Sequence, residues 1–258
     1  MLVNPNDHFI GKAILEYGEY GEIEAQALLK LLVRPGVVVE IGANIGTHTV
    51  ALARHAAGQQ REMFAFEPQP FIFQNLCANL ALNGLANVRA WPWACGASKE
   101  TLYFSAPNYN ASGNFGGVSM HVDSADQRDI AVPCVRLDDV LADRTVGLIK
   151  IDVEGFELNA LQGATDILAR SRPVLYLEND QVDKSRALIE WLWSQNYRLW
   201  WHIPPLFNPG NFFGVQENIY GNIASFNMLA LPREYDLPVT GLDAVCDATY
   251  HPLQQKAS

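Results

Sequence analysis

Four acidic residues sit in or directly after apolar runs. Glu40 lies within Val37-Val38-Val39-Glu40-Ile41, and Glu67 follows Met63-Phe64-Ala65-Phe66. Asp152 follows Leu148-Ile149-Lys150-Ile151, and Glu178 closes Val174-Leu175-Tyr176-Leu177. Carboxylates at strand ends can accept hydroxyl hydrogen bonds, take a proton from a nucleophile or hold a cation. The first is followed by Gly42-Ala43-Asn44-Ile45-Gly46 and a helix-like stretch from Thr47. Glycines at a strand-to-helix turn admit a ligand where a Cβ would block it. The amides of the new helix then face the crevice. Glu67 comes about twenty residues after that turn, where a nucleotide ribose needs an acceptor for its hydroxyls. Together these features outline a nucleotide-type cofactor site.

Glycine spacing discriminates among cofactors. A dinucleotide fingerprint, G-x-G-x-x-G, uses its middle glycine to lay a pyrophosphate against the backbone; here Asn44 holds that place. An acid inside the strand end and a side chain at Asn44 suit a cofactor without phosphates and with a cationic amino-acid end, such as S-adenosylmethionine. The run from Glu40 to Gly46 resembles motif I of the class I methyltransferases, and Phe66-Glu67-Pro68 resembles their motif II. Leu148 to Glu157 reads LIKIDVEGFE. With Arg136-Leu137-Asp138-Asp139-Val140-Leu141 before it and Pro173 to Glu178 after it, the order is similar to that of the FkbM family of methyltransferases. That family is named for an enzyme that O-methylates a macrolide hydroxyl.

The resemblance runs from Val37 to Asn179. It implies an α/β, Rossmann-like class I methyltransferase fold: a mostly parallel open sheet, helices on both faces and the last strand antiparallel. It also implies S-adenosylmethionine as cofactor and methyl transfer to a hydroxyl of a small molecule, sugar or polyketide-type metabolite. Two other readings stand beside it. One is an NAD-dependent oxidoreductase, weakened by Asn44; the other is a non-catalytic scaffold of the same fold.

On this resemblance Gly42, Asn44 and Thr47 hold the methionine end of the cofactor, with Glu40, Gly46 and His48 in the same turn, and Glu67 takes the ribose. Ala94, within Trp93 to Gly96, borders the adenine, although no acid stands nearby to bind it. Asp152 and Glu178 are the candidates for general base and substrate positioning. Asp152 with Glu178-Asn179 also resembles the Mg²⁺ site of catechol-type methyltransferases, but carboxylates at strand ends are frequent without metal and no metal is expected. The stretch Ser105 to Arg128 is rich in Ser, Asn and Gly and is a candidate lid loop. Its His121 is an alternative base.

The elements that must carry these residues alternate. The pattern predicts a helix over 21–33, strands at 37–41 and 63–66, and helices from Thr47 to Arg54 and from Pro68 to Asn83. Further strands are expected at 88–94, 101–104, 130–135, 148–152 and 174–177, with helices over 156–170 and 185–195, and a terminal strand pair at 198–203 and 223–231. One domain over residues 1–258 is expected, with 1–34 as an N-terminal helical segment.

Hydrophobic residues make up 49% of the 258-residue chain and charged residues 18%, enough for a large core. The net charge of −10 and the lack of a basic stripe disfavour a nucleic-acid partner. Cys77, Cys95, Cys134 and Cys246 form no C-x-x-C pair and read as small buried hydrophobes. No apolar run approaches the roughly 20 residues of a membrane span, so a cytoplasmic protein with no membrane partner is expected. Its oligomeric state is not legible.

Overall fold

The structure, a computed structural model, describes every residue except Ala125, Arg128 and Ser258. The first two fall in the expected lid loop and the third at the end of the expected domain, outside the described residues. Helices α1 (Ile10–Tyr17) and α2 (Glu22–Lys30) precede an alternation of strand and helix: β1 (Val37–Ile41), α3 (Thr47–Gly58), β2 (Met63–Phe66), α4 (Pro70–Leu82) and β3 (Val88–Trp91). Three strands follow, β4 (Ala94–Cys95), β5 (Glu100–Ser105) and β6 (Asp129–Val135), then α5 (Leu137–Val140). The chain continues through β7 (Val146–Ile151), α6 (Glu157–Gln162), α7 (Thr165–Ser171), β8 (Val174–Glu178) and α8 (Val182–Ser194). It ends with β9 (Tyr197–His202), β10 (Asn227–Pro232) and the short β11 (Asp243–Ala244).

The main sheet has the order β11-β9-β10-β8-β7-β1-β2-β3, and β4, β6 and β5 form a second, smaller sheet. Strands β3, β2, β1, β7 and β8 run parallel. The expected antiparallel strand is β10, which inserts between β8 and β9; β11, an edge strand antiparallel to β9, was not expected. The chain winds from β1 outward to β3, then returns to β7 on the other side of β1. Ligands of such sheets bind outside the carboxyl ends at that reversal.

Alternation along each strand divides the core between two faces. Val37, Val39 and Ile41 pack with Ile149, Ile151 and the apolar sides of α6, α7 and α8. Val38, Leu148 and Tyr176 pack beneath α2 and α3, against Leu28 and Leu52. By the same alternation Glu40 and Lys150, paired in register, belong to the α2–α3 face. That placement builds the site described below.

Four local expectations need correction. The strand predicted over 88–94 breaks at Pro92, which has no N–H for the ladder; Ala94 and Cys95 join the second sheet, parallel to β6. Helix α4 begins at Pro70 rather than Pro68. The helix predicted over 156–170 is two helices. A Cβ on Gly163 would overlap the Gly96 carbonyl oxygen, so the chain there is pressed against the turn after β4 and restarts at Thr165. Finally, Cys95 and Cys134 are buried as expected, whereas Cys77 and Cys246 are exposed.

The restart of α7 is capped from a distance. Asp138 on α5 is buried and accepts from Asp166 N (3.1 Å) and Ile167 N (2.9 Å), two of the amides a helix leaves unpaired at its start. Asp138→Ala should therefore cost about 2 kcal/mol of stability. Denaturant unfolding should give a lower midpoint at unchanged slope; an unchanged midpoint would deny the cap its weight.

Candidate active site

Strand β1 ends at Ile41 and the chain turns through Gly42 (φ 82°) and Asn44 (φ 49°) into α3. A Cβ at Gly42 would overlap the Asp152 carbonyl oxygen, so the ends of β1 and β7 meet backbone to backbone. Asn44 is held in its left-handed conformation from two sides. Its N–H donates to Glu67 Oε2 (2.9 Å), and its side-chain oxygen accepts from Ile45 N (2.7 Å). Glu67 Oε1 accepts from Gln69 N (2.9 Å). One buried carboxylate thus ties the turn after β1 to the turn after β2. Burial raises its pKa to about 7, against the lowering effect of those two amides. Each of its oxygens keeps capacity for a further hydrogen bond.

Two adjoining hollows open above these strand ends. The smaller, about 470 Å³, is lined by Trp93, Ala94, Cys95, Met120, Val153 and Phe156, a mainly apolar slot. Trp93 is set by stacking on Trp91, with ring centroids 4.4 Å apart. The larger, about 1230 Å³, is lined by Asn44, Thr47 and His48 on one side and by strand-end acids on the other. Gly42, Glu67, Gly116 and Asp152 border both. A flat base would fit the apolar slot, ribose hydroxyls would meet Glu67 at the border, and an amino-acid tail would lie along the turn at Asn44 and Thr47. The residues present therefore fit an adenosyl amino-acid cofactor.

Of the residues singled out in the sequence, Gly42, Asn44, Thr47, His48, Glu67, Asp152 and Glu178 border the larger hollow and Ala94 the smaller. Glu40 reaches the larger hollow but is almost wholly buried. Gly46 borders neither; it turns against Leu76 behind the loop. His121 is also elsewhere. It bridges to Tyr103 of the second sheet and bonds Asp129 at 3.1 Å. The described part of the loop after β5 is tied down: Gln69 donates to Phe115 O (2.9 Å) and Tyr109 stacks on Phe71 at 4.4 Å. Its Gly116 and Gly117 form part of the rim.

Sequence reasoning missed Lys150, which organises the electrostatics. Its ammonium, 2% exposed, lies 3.1 Å from Asp152 Oδ2 and 3.5 Å from Glu40 Oε1. Burial opposes its charge, but Asp152, Glu40 and Glu24 together hold its pKa above the ordinary value. Glu40 also accepts from Thr49 Oγ1 (2.6 Å). His48 sits in this field with its pKa lowered to about 4, by burial first and then by Lys150, so it is neutral and can donate toward Gly21 O (3.4 Å). A lysine within an apolar strand, with Asp152 two residues on and Glu40 within another apolar strand, was the available signal.

The two strand-end acids differ. Asp152 is opposed by burial, yet Lys150 and a hydrogen bond from Glu178 carry its pKa below the ordinary value. Glu178 is pushed well above its ordinary value by burial and then by Asp152. Between the two, burial and charge favour the proton on Glu178 and the negative charge on Asp152, whose side chain is partly open to the hollow. Glu154, Glu178 and Asp180 also cluster closely enough to hold a cation. The sequence reading passed over Glu154, Asp180 and Glu24.

Residues 40–199 match the Methyltransferase FkbM domain family. Methyltransferase 1 of Beauveria bassiana is 29% identical over 150 residues, covering 50% of this chain and 58% of its own length. Methyltransferase sdnD of Sordaria araneosa is 28% identical over 208 residues, covering 64% of this chain and 79% of its own. The chain thus spans little more than half the length of the first of these relatives. In fold it is similar to a precorrin-6y C5,15-methyltransferase from Geobacter metallireducens, with TM-score 0.52 and 14% identity over 80% of this chain and 87% of that one. With the glycine turn, the Glu67 clamp and the family match across most of the sheet, the chain belongs to the FkbM family of S-adenosylmethionine-dependent methyltransferases.

Proposed function

We propose that this enzyme transfers a methyl group to a hydroxyl of a small molecule of sugar or polyketide type, with Asp152 as the general base. The carrying observation is the setting of Asp152: 3.1 Å from Lys150, which lowers its pKa, beside a Glu178 whose pKa is raised, and partly open to the larger hollow. When bound, the cofactor supplies a methyl already activated on a sulfonium. The chain aligns the acceptor, excludes water and takes one proton. Alignment of this kind can be worth about 7–11 kcal/mol of barrier. As the acceptor oxygen took the methyl carbon, whose bond to sulfur would break to leave a neutral thioether, its proton would pass to Asp152 Oδ1 or Oδ2, and the Glu178 carboxyl would keep that side chain oriented. No metal is needed for this step.

Glu67 and the Gly42 turn serve the cofactor and are separate from the base. Glu67→Ala should weaken S-adenosylhomocysteine by about 10- to 100-fold, since it removes a charged acceptor and frees the Asn44 turn. Isothermal titration checks this. Equal affinity in both proteins would take Glu67 out of the cofactor site.

A further inference from the structure

We propose that Glu154, Glu178 and Asp180, at the ends of β7 and β8, form the acceptor subsite and that they recognise the adjacent hydroxyls of a neutral polyol, a sugar unit that carries no acidic group. This rests on the methyltransferase reading of the same cleft and narrows its substrate.

Three observations converge. The first is a set of unused acceptors. Asp180 Oδ1 is enclosed and has no hydrogen-bond partner, and neither does Glu24 Oε1. Glu24 is 5% exposed, comes from α2 rather than the strand ends, and borders the same hollow. Its nearest cationic candidate, His48 Nδ1, is 3.9 Å away and neutral at physiological pH. Buried acceptors without donors are costly, so a ligand that brings several O–H donors is what these walls lack. Glu154 is also held at φ 52°, in the left-handed region, next to Gly155 at φ 86°. Strained backbone at a cleft rim is a mark of a positioned side chain.

The second observation is charge. Among the described residues that border the larger hollow, Lys150 is the one cationic side chain, and it is already matched by Asp152 and Glu40. A phosphate, sulfate or carboxylate on the acceptor would meet carboxylates with no free countercharge. A neutral polyol meets no such opposition. Burial raises Glu154 to about 8, with Asp152 and Asp180 adding to the shift. Glu154 and Glu178 can therefore offer a proton as well as accept one, which matches hydroxyls that do both.

The third is the apolar lining. Phe9, Tyr20, Leu206, Ile223 and Phe226 also border the hollow. Apolar and aromatic side chains with a few convergent polar groups are the usual build of a small-molecule site. It suits a ring with one C–H face and one edge of hydroxyls better than it suits a bare ion.

The test uses the full chain saturated with S-adenosylhomocysteine. Neutral methyl glycosides, the matching methyl uronates and Mg²⁺ are each titrated against it, with binding followed by ligand-observed NMR and calorimetry. The neutral glycosides should bind, and the uronates should bind at least about 10-fold more weakly. Asp180→Asn should weaken the glycosides by about 10-fold while S-adenosylhomocysteine affinity stays as in the parent, which also reports an intact fold. Asp180→Ala, with no acceptor at all, should weaken them at least as much. If S-adenosylhomocysteine binds but no glycoside does, or if uronates bind as well as glycosides, the acceptor inference is wrong and the cofactor reading stands. If Mg²⁺ binds and Asp180→Asn abolishes it, the cluster is a metal site and the inference is again wrong. Failure of S-adenosylhomocysteine itself to bind overturns the reading beneath it.

Discussion

Lys150→Met should be the most damaging single substitution to stability, at about 3–5 kcal/mol. The methionine fills much the same space, so the loss is electrostatic. Glu40 is 1% exposed and would keep only the Thr49 hydroxyl at 2.6 Å; Asp152 would lose its partner at 3.1 Å. A buried carboxylate stripped of its cation remains desolvated, and that penalty is a large share of a total stability of about 5–15 kcal/mol. The sign of the pH dependence follows. In the variant Asp152 keeps the burial that raises its pKa and loses the cation that lowers it. Its contribution is favourable at low pH, where it is protonated folded and unfolded, and is lost as pH rises through the raised value. The deficit against the parent should be small near pH 4 and full at pH 8. Adding Glu40→Gln to Lys150→Met should recover part of it, because the uncompensated charge is gone. Denaturant unfolding at both pH values measures all of this. A deficit independent of pH, with no recovery in the double variant, would mean that packing and not charge is at stake.

That network also marks where the sequence was and was not readable. The turn from Gly42 to Gly46, Glu67 and the strand that leads to Asp152 were legible because backbone geometry demands particular residues there. Gly42 must omit its Cβ beside the Asp152 carbonyl, and the acid after β2 must tie down two turns. Lys150 was in plain view within the same motif, but its meaning depends on register. Only the pairing of Glu40 with Lys150 across β1 and β7, and the seating of α2 and α3 on that face, bring Glu24, His48 and Lys150 together. Long-range pairing of this kind leaves no local pattern. The same is true of Asp138, which caps a helix 28 residues away, and of His251, whose Nε2 donates to Asn179 O (2.9 Å) and anchors the end of β8. Gly46 shows the opposite limit. It belongs to the motif by spacing, yet it serves the turn and not the cleft.

The chemistry itself should separate the two strand-end acids. Asp152→Asn should lower turnover by about 10²- to 10⁴-fold, the usual worth of a positioned general base, with S-adenosylhomocysteine affinity nearly unchanged. Asparagine keeps the shape and can still meet Glu178, but it cannot take a proton from the acceptor hydroxyl. A loss in kcat with little change in KM is the pattern of a group that acts in the transition state. Glu178→Gln should behave differently. Burial and Asp152 raise the Glu178 pKa, which favours its protonated form, and glutamine retains a donor toward Asp152, so turnover should stay within about 10-fold of the parent. The pH profile divides the roles further. Asp152 has a pKa below the ordinary 3.8, so its ionised form persists down to that region, and activity should hold through mildly acidic pH. On the alkaline side the Glu178 proton is eventually lost, two adjacent carboxylates then repel, and activity should fall. That alkaline limb should vanish in Glu178→Gln, which has no proton to lose, and also in any residual activity of Asp152→Asn, where no second carboxylate remains to repel the first. The opposite result, with Glu178→Gln inactive and Asp152→Asn near parental turnover, would move the base to β8 and leave Asp152 as the partner that Lys150 holds in place.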